Sequence, residues 1–128
     1  MSKSCCSILV VEDHADSAAL LERLLTRMGH AVAVASCVRE AEALAAVRRF
    51  DVVISDMGLP DGDGCNLFRA VRAMYPVRGI AVTGYGADDD VAACHRAGFD
   101  AHLVKPLMFD DLKAAIDGLC SRRDVSAT

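Results

Sequence analysis

Along this chain, short apolar runs alternate with stretches in which apolar residues recur every three or four positions. A run of four or five apolar residues closed by a polar one suits a buried strand, and the three-to-four repeat suits one face of a helix. Runs at 7–11, 31–35, 51–55, 80–82 and 100–104 predict five strands, and 15–28, 36–47, 66–75, 88–97 and 109–120 predict the helices that follow them. In the first helix Ala19, Leu20, Leu24 and Leu25 share a face, Asp13 or Asp16 can cap the start, and Gly29 stops it. Ser36 is the candidate cap of the second helix, whose apolar positions are Ala41, Leu44, Ala45 and Val47. The third sets Leu67, Ala70, Val71 and Met74 inward and ends at Pro76. The fourth opens on acidic residues at Asp88, which suits the helix dipole, and ends at Gly98. The fifth turns Leu112, Ala115, Ile116 and Leu119 inward, and 122–128 reads as a frayed tail. The stretch 58–64 is dense in Gly, Pro and Asp and reads as a loop, as does the turn at 84–86.

Five apolar strands, each followed by a helix, imply a parallel sheet covered on both faces. Right-handed crossovers leave few topologies, and five strands are too few for a βα barrel. The expectation is an α/β fold with a flavodoxin-like, doubly wound five-stranded parallel sheet, order 2-1-3-4-5, and five helices. One domain spans residues 1–128, with a core from 7 to 120 and tails at 1–6 and 122–128.

Composition narrows the function. With 53% apolar and 25% charged residues the chain can bury a core, and its net charge of −4 argues against non-specific nucleic-acid binding. No apolar run approaches the ~20 residues of a membrane span, and Glu12-Asp13 ends the first one without a cleavage site. The six cysteines (Cys5, Cys6, Cys37, Cys65, Cys94 and Cys120) form no C-x-x-C pair, and adjacent Cys5-Cys6 makes a poor disulfide. The expectation is a cytoplasmic protein whose reduced thiols serve as small apolar fillers.

The chemistry lies where the apolar runs stop. Ligands of such sheets sit at the carboxyl ends of the strands, where strand order reverses. The residues closing strands there are Glu12-Asp13, Asp56, Thr83 and Lys105. Two adjacent carboxylates at a sheet edge repel and lose solvation, a cost that a divalent cation offsets. Each residue alone is commonplace: an Asp after a strand is most often a turn or cap, and a Lys is most often a solvated charge. Five polar groups of complementary role at equivalent ends of four strands are not.

These pieces, Val10-Val-Glu-Asp13, Ile54-Ser-Asp-Met-Gly-Leu-Pro60, Val82-Thr83-Gly84 and Val104-Lys-Pro106, resemble the receiver domain of two-component response regulators over about residues 7–120. Thr83-Gly-Tyr-Gly86, Ala97-Gly-Phe-Asp100 and His102-Leu-Val-Lys-Pro106 look most like receivers of hybrid histidine kinases. The resemblance implies that Asp56 accepts a phosphoryl group from a phosphohistidine. It implies a Mg2+ ion held by Glu12, Asp13, Asp56 and the Met57 carbonyl, with Lys105 and Thr83 on the phosphoryl oxygens and a cis Lys105-Pro106 peptide. Gly58 and Tyr85 occupy positions that tune the lifetime of the phosphoryl group, in opposite directions. His102 stands where the family places an aromatic switch residue, so the switch it implies is weaker and pH-sensitive; the plainer alternative is a partly covered strand histidine. His14, His30 and His95 have no ligand spacing and read as surface groups. The implied partner is a histidine kinase or histidine phosphotransfer protein docking near Ala15, Ala18 and Ala19. A homodimer through the face from the fourth to the fifth helix is the other implied contact. Neither direct nucleic-acid binding nor membrane insertion is expected, although the chain could be the cytoplasmic part of a membrane-anchored hybrid kinase. Beyond self-phosphorylation and autodephosphorylation no enzymatic activity is expected. The 128 residues carry no output domain, so output is expected through a protein contact unless the chain is a piece of something larger.

Three rivals remain. A flavodoxin-type FMN binder needs a phosphate-cradling loop where Glu12-Asp13 stands. A toprim-type metal enzyme would pair Glu12 with Asp61-Gly-Asp63, but those acids sit in a Gly/Pro turn. A degenerate receiver would have lost an acid or the lysine, and none is lost.

Overall fold

A computed structural model describes residues 6–84 and 88–127, with the side chains of 88–91 and 121–127 left aside. Its strands are β1 (Ser7–Val11), β2 (Ala31–Ala35), β3 (Val52–Asp56), β4 (Gly58–Leu59), β5 (Gly62–Asp63), β6 (Arg78–Thr83) and β7 (Ala101–Val104). Its helices are α1 (Ala15–Arg27), α2 (Val38–Val47), α3 (Gly64–Met74), α4 (Asp88–Ala97) and α5 (Phe109–Ala127). The main sheet is parallel throughout, in the order β2-β1-β3-β6-β7. With β6 and β7 as the fourth and fifth long strands, this is the expected 2-1-3-4-5 order.

The continuous apolar strands follow from two-sided burial. Alternate residues of β1 and β3 divide between two cores. Leu9, Val11 and Val53 pack with Ala41, Leu67, Phe68 and Val71 beneath α2 and α3. Ile8, Val10 and Ile54 pack with Leu21, Leu25, Leu112 and Ile116 beneath α1 and α5.

The helix faces differ from the expected ones in detail. Leu20 is 51% exposed and Leu21 is buried in its place, while Val47 and Met74 face solvent and Phe68 is buried. In α1 the sheet covers a stripe one residue round from the expected one, whereas in α2 and α3 the expected Ala41, Ala45, Leu67 and Val71 are buried and only the last apolar position of each helix lies beyond the sheet.

Capping also differs. α1 is preceded by His14 and α2 by Cys37, neither of which supplies a side-chain cap. Ser36 instead contacts the Glu40 carboxylate through its backbone N–H and hydroxyl. The α2 cap comes from a distant residue: the Asp61 carboxylate accepts from the N–H groups of Val38 and Arg39 at 2.8 and 3.0 Å. Those bonds hold the Asp61 carboxyl below its usual range. Asp63 caps α3 by accepting from the Asn66 N–H at 2.8 Å. The expected loop at 58–64 is therefore a β4–β5 antiparallel hairpin that carries two caps. Both acids of the toprim-like pattern are occupied in this way. The expected frayed tail is helical to Ala127.

Two further expectations are corrected. Cys6 and Cys120 are disulfide-bonded, with Cα atoms 6.3 Å apart, whereas Cys37, Cys65 and Cys94 take part in no disulfide and Cys5 lies outside the described residues. Spacing rules could not find this pair, because the fold brings together the start of β1 and the last helix. His30 is buried rather than superficial, and its Nδ1 accepts from the Cys6 N–H at 3.0 Å. His14 and His95 are exposed, as expected.

Gly79 in β6 lies under the stacked rings of Phe68 and Phe99, whose centroids are 4.3 Å apart. A Cβ there would stand 2.5 Å from Phe68 and 2.7 Å from Phe99. Gly79→Ala must unstack the rings and should destabilise the fold by about 2 kcal/mol. Urea unfolding would show this as a lower midpoint at unchanged slope, and an unchanged midpoint would contradict the packing.

Candidate functional site

Parallel strands present their carboxyl ends at one edge, so the residues that end them become neighbours. Glu12 and Asp13 follow β1, Asp56 ends the adjacent β3, Thr83 ends β6, and Lys105 follows β7. The Lys105–Pro106 peptide is cis, and the Lys105 N–H donates to the Thr83 carbonyl at 2.9 Å.

Glu12 and Asp56 are both buried, at 3% and 7% exposure. Lys105 Nζ reaches across both, 3.0 Å from Asp56 Oδ1 and 3.2 Å from Glu12 Oε1. One ammonium cannot fully compensate two buried carboxylates. Burial, then the hydrogen bond with Glu12 and its charge, push Asp56 up to about 7 against the pull of Lys105. Burial acts the same way on Glu12, but it is outweighed by Asp56, the His14 N–H and Lys105, leaving its carboxyl below the usual range. Burial would lower Lys105, yet the bonds to Asp56 and then Glu12 hold it above its ordinary value. The pair therefore titrates as a unit, with Asp56 the member that retains the proton.

Asp13 is more exposed than these two, and His14 lies over the group, with Nδ1 3.4 Å from Glu12 and 3.7 Å from Asp13. In front of them opens a cleft of about 260 Å³ lined by Asp13, Asp56, Met57, Gly58, Gly84 and Lys105. The donor set fits Mg2+, which takes carboxylate and carbonyl oxygens and keeps several waters. The Met57 carbonyl accepts from the Gly64 N–H at 2.9 Å and retains a second lone pair. A hard cation would also balance the charge that drives Asp56 to hold a proton.

Thr83 is buried, and its hydroxyl donates to the Leu103 carbonyl at 3.4 Å, away from the carboxylates. His102 is exposed on β7, its ring edge-on to His95 at 6.4 Å between centroids, and is not among the groups around Asp56. Gly58 opens the hairpin and lines the cleft, whereas Tyr85 lies outside the described residues.

Two supporting residues escaped sequence reasoning. Gly64 opens α3 against the back of the site, where a Cβ would collide with the Asp56 carbonyl and crowd the Ser55 hydroxyl. Its signal was a glycine at the junction of a turn and a helix. Ser55 is fully buried and donates to that same Asp56 carbonyl at 2.8 Å, a contact with no sequence signature.

The raised Asp56 has a consequence for stability. A carboxyl whose folded pKa exceeds its unfolded value stabilises the fold below the unfolded value and loses that contribution as pH rises through the folded one. With a shift from 3.8 to about 7, the loss runs from about pH 4 to above pH 7. In metal-free buffer, wild type should therefore lose on the order of 2 kcal/mol relative to Asp56→Asn between pH 5 and pH 8. Urea unfolding at the two pH values tests this; a pH-independent difference would contradict it.

A family profile described as response regulator receiver domain matches residues 8–117. The transcriptional regulatory protein PrrA of Mycobacterium bovis is 37% identical over 124 residues, covering 94% of this chain and 52% of that protein. The transcriptional regulatory protein TcrA of Mycobacterium tuberculosis is 38% identical over 118 residues, covering 90% of this chain and 46% of that protein. The chain thus spans about half the length of these relatives. Among solved structures, a CheY-like receiver domain protein from Methanospirillum hungatei matches with a TM-score of 0.89 at 27% identity, covering 96% of this chain and 99% of that one. The receiver domain of a signal transduction histidine kinase from Syntrophus aciditrophicus matches at 0.81 and 28%, covering 91% and 90%. With its parallel sheet and the acidic edge closed by a lysine, the chain belongs to the response regulator receiver domains, the phosphoacceptor modules of two-component signalling.

Proposed function

We propose that Asp56 is the phosphoacceptor, that Glu12, Asp13, Asp56 and the Met57 carbonyl hold Mg2+, and that Lys105 and Thr83 receive the phosphoryl oxygens. The observation that carries this reading is Lys105 Nζ bridging the Asp56 and Glu12 carboxylates beside an open cleft. Bound Mg2+ would supply the charge that lets an anionic donor approach three carboxylates. An Asp56 oxygen attacks phosphorus, the bond to the donor imidazole nitrogen breaks, and the imidazole leaves to take a proton from solvent. Lys105 stays paired with the acyl phosphate through charge-assisted hydrogen bonds. The Thr83 hydroxyl exchanges the long bond to Leu103 for a phosphoryl oxygen, moving the end of β6. Self-phosphorylation and its hydrolytic reversal are the chemistry assigned to the chain. His102 provides a small, exposed switch residue on β7, and Gly58 leaves the cleft open to water.

Beside the site, a groove of about 500 Å³ runs between α1 and the start of α5, floored by Leu21 and Leu112 and rimmed by Leu20, Pro106 and Met108. Leu20 and Met108 are 51% and 61% exposed. A helix of a histidine kinase or histidine phosphotransfer protein fits there, with its histidine directed at Asp56. Ala15 and Ala19 are exposed on the same helix, while Ala18 is buried. The face from α4 to α5, with His102 and Val104 exposed on β7, is assigned to output, including a homodimer. No helix among the described residues is long and apolar enough to cross a membrane, and we place the chain in the cytoplasm, alone or as a segment of a hybrid kinase.

Incubation with Mg2+ and a small-molecule phosphodonor should add one base-labile phosphoryl group, read by intact mass, and Asp56→Asn should add none. Modification surviving in Asp56→Asn would reject the assignment. Asp13→Ala should lower Mg2+ affinity at least about tenfold and suppress phosphorylation in parallel; phosphorylation with unchanged Mg2+ dependence would remove Asp13 from the metal site.

A further inference from the structure

At the end of the sheet opposite the acidic edge lies a second cluster that phosphoryl transfer does not use. Cys6 precedes β1, His30 lies between α1 and β2, and Cys120 is in α5. Their exposures are 1%, 7% and 1%. The two sulfurs are bonded across 114 residues of chain, and a ring nitrogen of His30 lies within 4.8 Å of both.

Two cysteines and a histidine are zinc-type donors. The imidazole argues otherwise. Its Nδ1 accepts from the Cys6 N–H at 3.0 Å, so Nδ1 carries no proton and the neutral ring holds its proton on Nε2. A metal on Nδ1 would displace the Cys6 N–H. A metal on Nε2 would require a protonated Nδ1 facing that same N–H. The backbone around the ring is fixed as well: the His30 N–H donates to Leu25, and Ala31 donates to the Cys6 carbonyl. The cluster is therefore arranged for sulfur–sulfur chemistry rather than for a metal.

Its position gives that chemistry a consequence. α5 starts at Phe109, shortly after Lys105, and reaches the cysteine pair at Cys120. One helix thus joins the two ends of the sheet, and the bond fixes its far half to the start of the interior strand β1.

We propose that Cys6 and Cys120 form a reversible dithiol–disulfide site, exchanging with low-molecular-weight thiols and disulfides, that sets the mobility of α5. For reduction, a thiolate RS⁻ attacks one sulfur and the other leaves as a cysteine thiolate, a second RS⁻ attacks the outer sulfur of the mixed disulfide and expels the second cysteine thiolate, and both cysteine thiolates take protons from solvent. The products are two cysteine thiols and RSSR, so two electrons and two protons enter the protein. Oxidation by RSSR is the reverse. Both sulfurs are buried, so exchange proceeds through opening of the end of α5.

The test equilibrates the full chain, with chelator present, across a series of reduced-to-oxidised glutathione ratios. Alkylation and intact mass then report the state of the thiols. The expected result is one two-electron transition, absent in Cys6→Ser and Cys120→Ser and retained in Cys5→Ser. Amide hydrogen exchange within residues 109–120 should be about tenfold slower in the oxidised protein, and its Tm should be higher by on the order of 10 °C. Thiol-reduced wild type separates loss of the bond from any folding defect of the serine variants. The proposal is overturned by a single redox state across the whole series, by a transition that needs Cys5, or by equal exchange of α5 in both forms. Stoichiometric zinc uptake by the reduced chain, lost in His30→Ala, would overturn it in favour of a metal site.

Discussion

Two carboxylates buried at one sheet edge under a single ammonium are the constraint on which the rest of the site depends. Glu12 and Asp56 are placed side by side because β1 and β3 are adjacent and parallel. Lys105 compensates only part of their charge, so Asp56 holds its proton up to about pH 7. That residual imbalance is what would favour a cation at this edge. A bound cation would take the place of the proton on Asp56, the carboxylate that lines the cleft. The fold's stability and the site's chemistry are therefore coupled through one titrating group: what destabilises the metal-free protein at high pH is what prepares it to bind the cation.

The scaffold is arranged to keep this pair fixed. Lys105 is held at the backbone by the Thr83 carbonyl, and Asp56 by Ser55 and the closely packed Gly64 on its own carbonyl. The β4–β5 hairpin adds support, because Asp61 and Asp63 fasten it to the starts of α2 and α3. The hairpin that carries Gly58 at the mouth of the cleft is thus pinned to two helices. Thr83 is on a long, weak bond, which under the proposed function would let its hydroxyl turn to an arriving phosphoryl group.

Strand order and the acidic edge were legible in the sequence because each apolar run stops in a polar residue, and parallel topology brings every such stop to the same side. Long-range pairings were not legible. Asp61 caps α2 from a hairpin more than twenty residues away, so local capping rules chose Ser36 instead. Cys6 meets Cys120 because β1 begins where α5 packs, a consequence of tertiary closure that no spacing motif encodes. His30 was read as a surface group because it has no ligand spacing, yet its ring turns inward to the Cys6 N–H. The stripe of α1 was read one residue off at Leu20, and that of α2 one turn too long at Val47, since the sheet and not the internal repeat decides which edge of an apolar face is covered.

The central claim concerns the charge state of Asp56 and is measured most directly by a carboxyl-carbon NMR titration of Glu12 and Asp56, without metal and with saturating Mg2+. The account predicts that Asp56 titrates near 7 in the metal-free protein while Glu12 titrates below the usual carboxylate range, and that Mg2+ moves the Asp56 transition down by at least one unit. Two independent transitions near 4, unmoved by Mg2+, would contradict it.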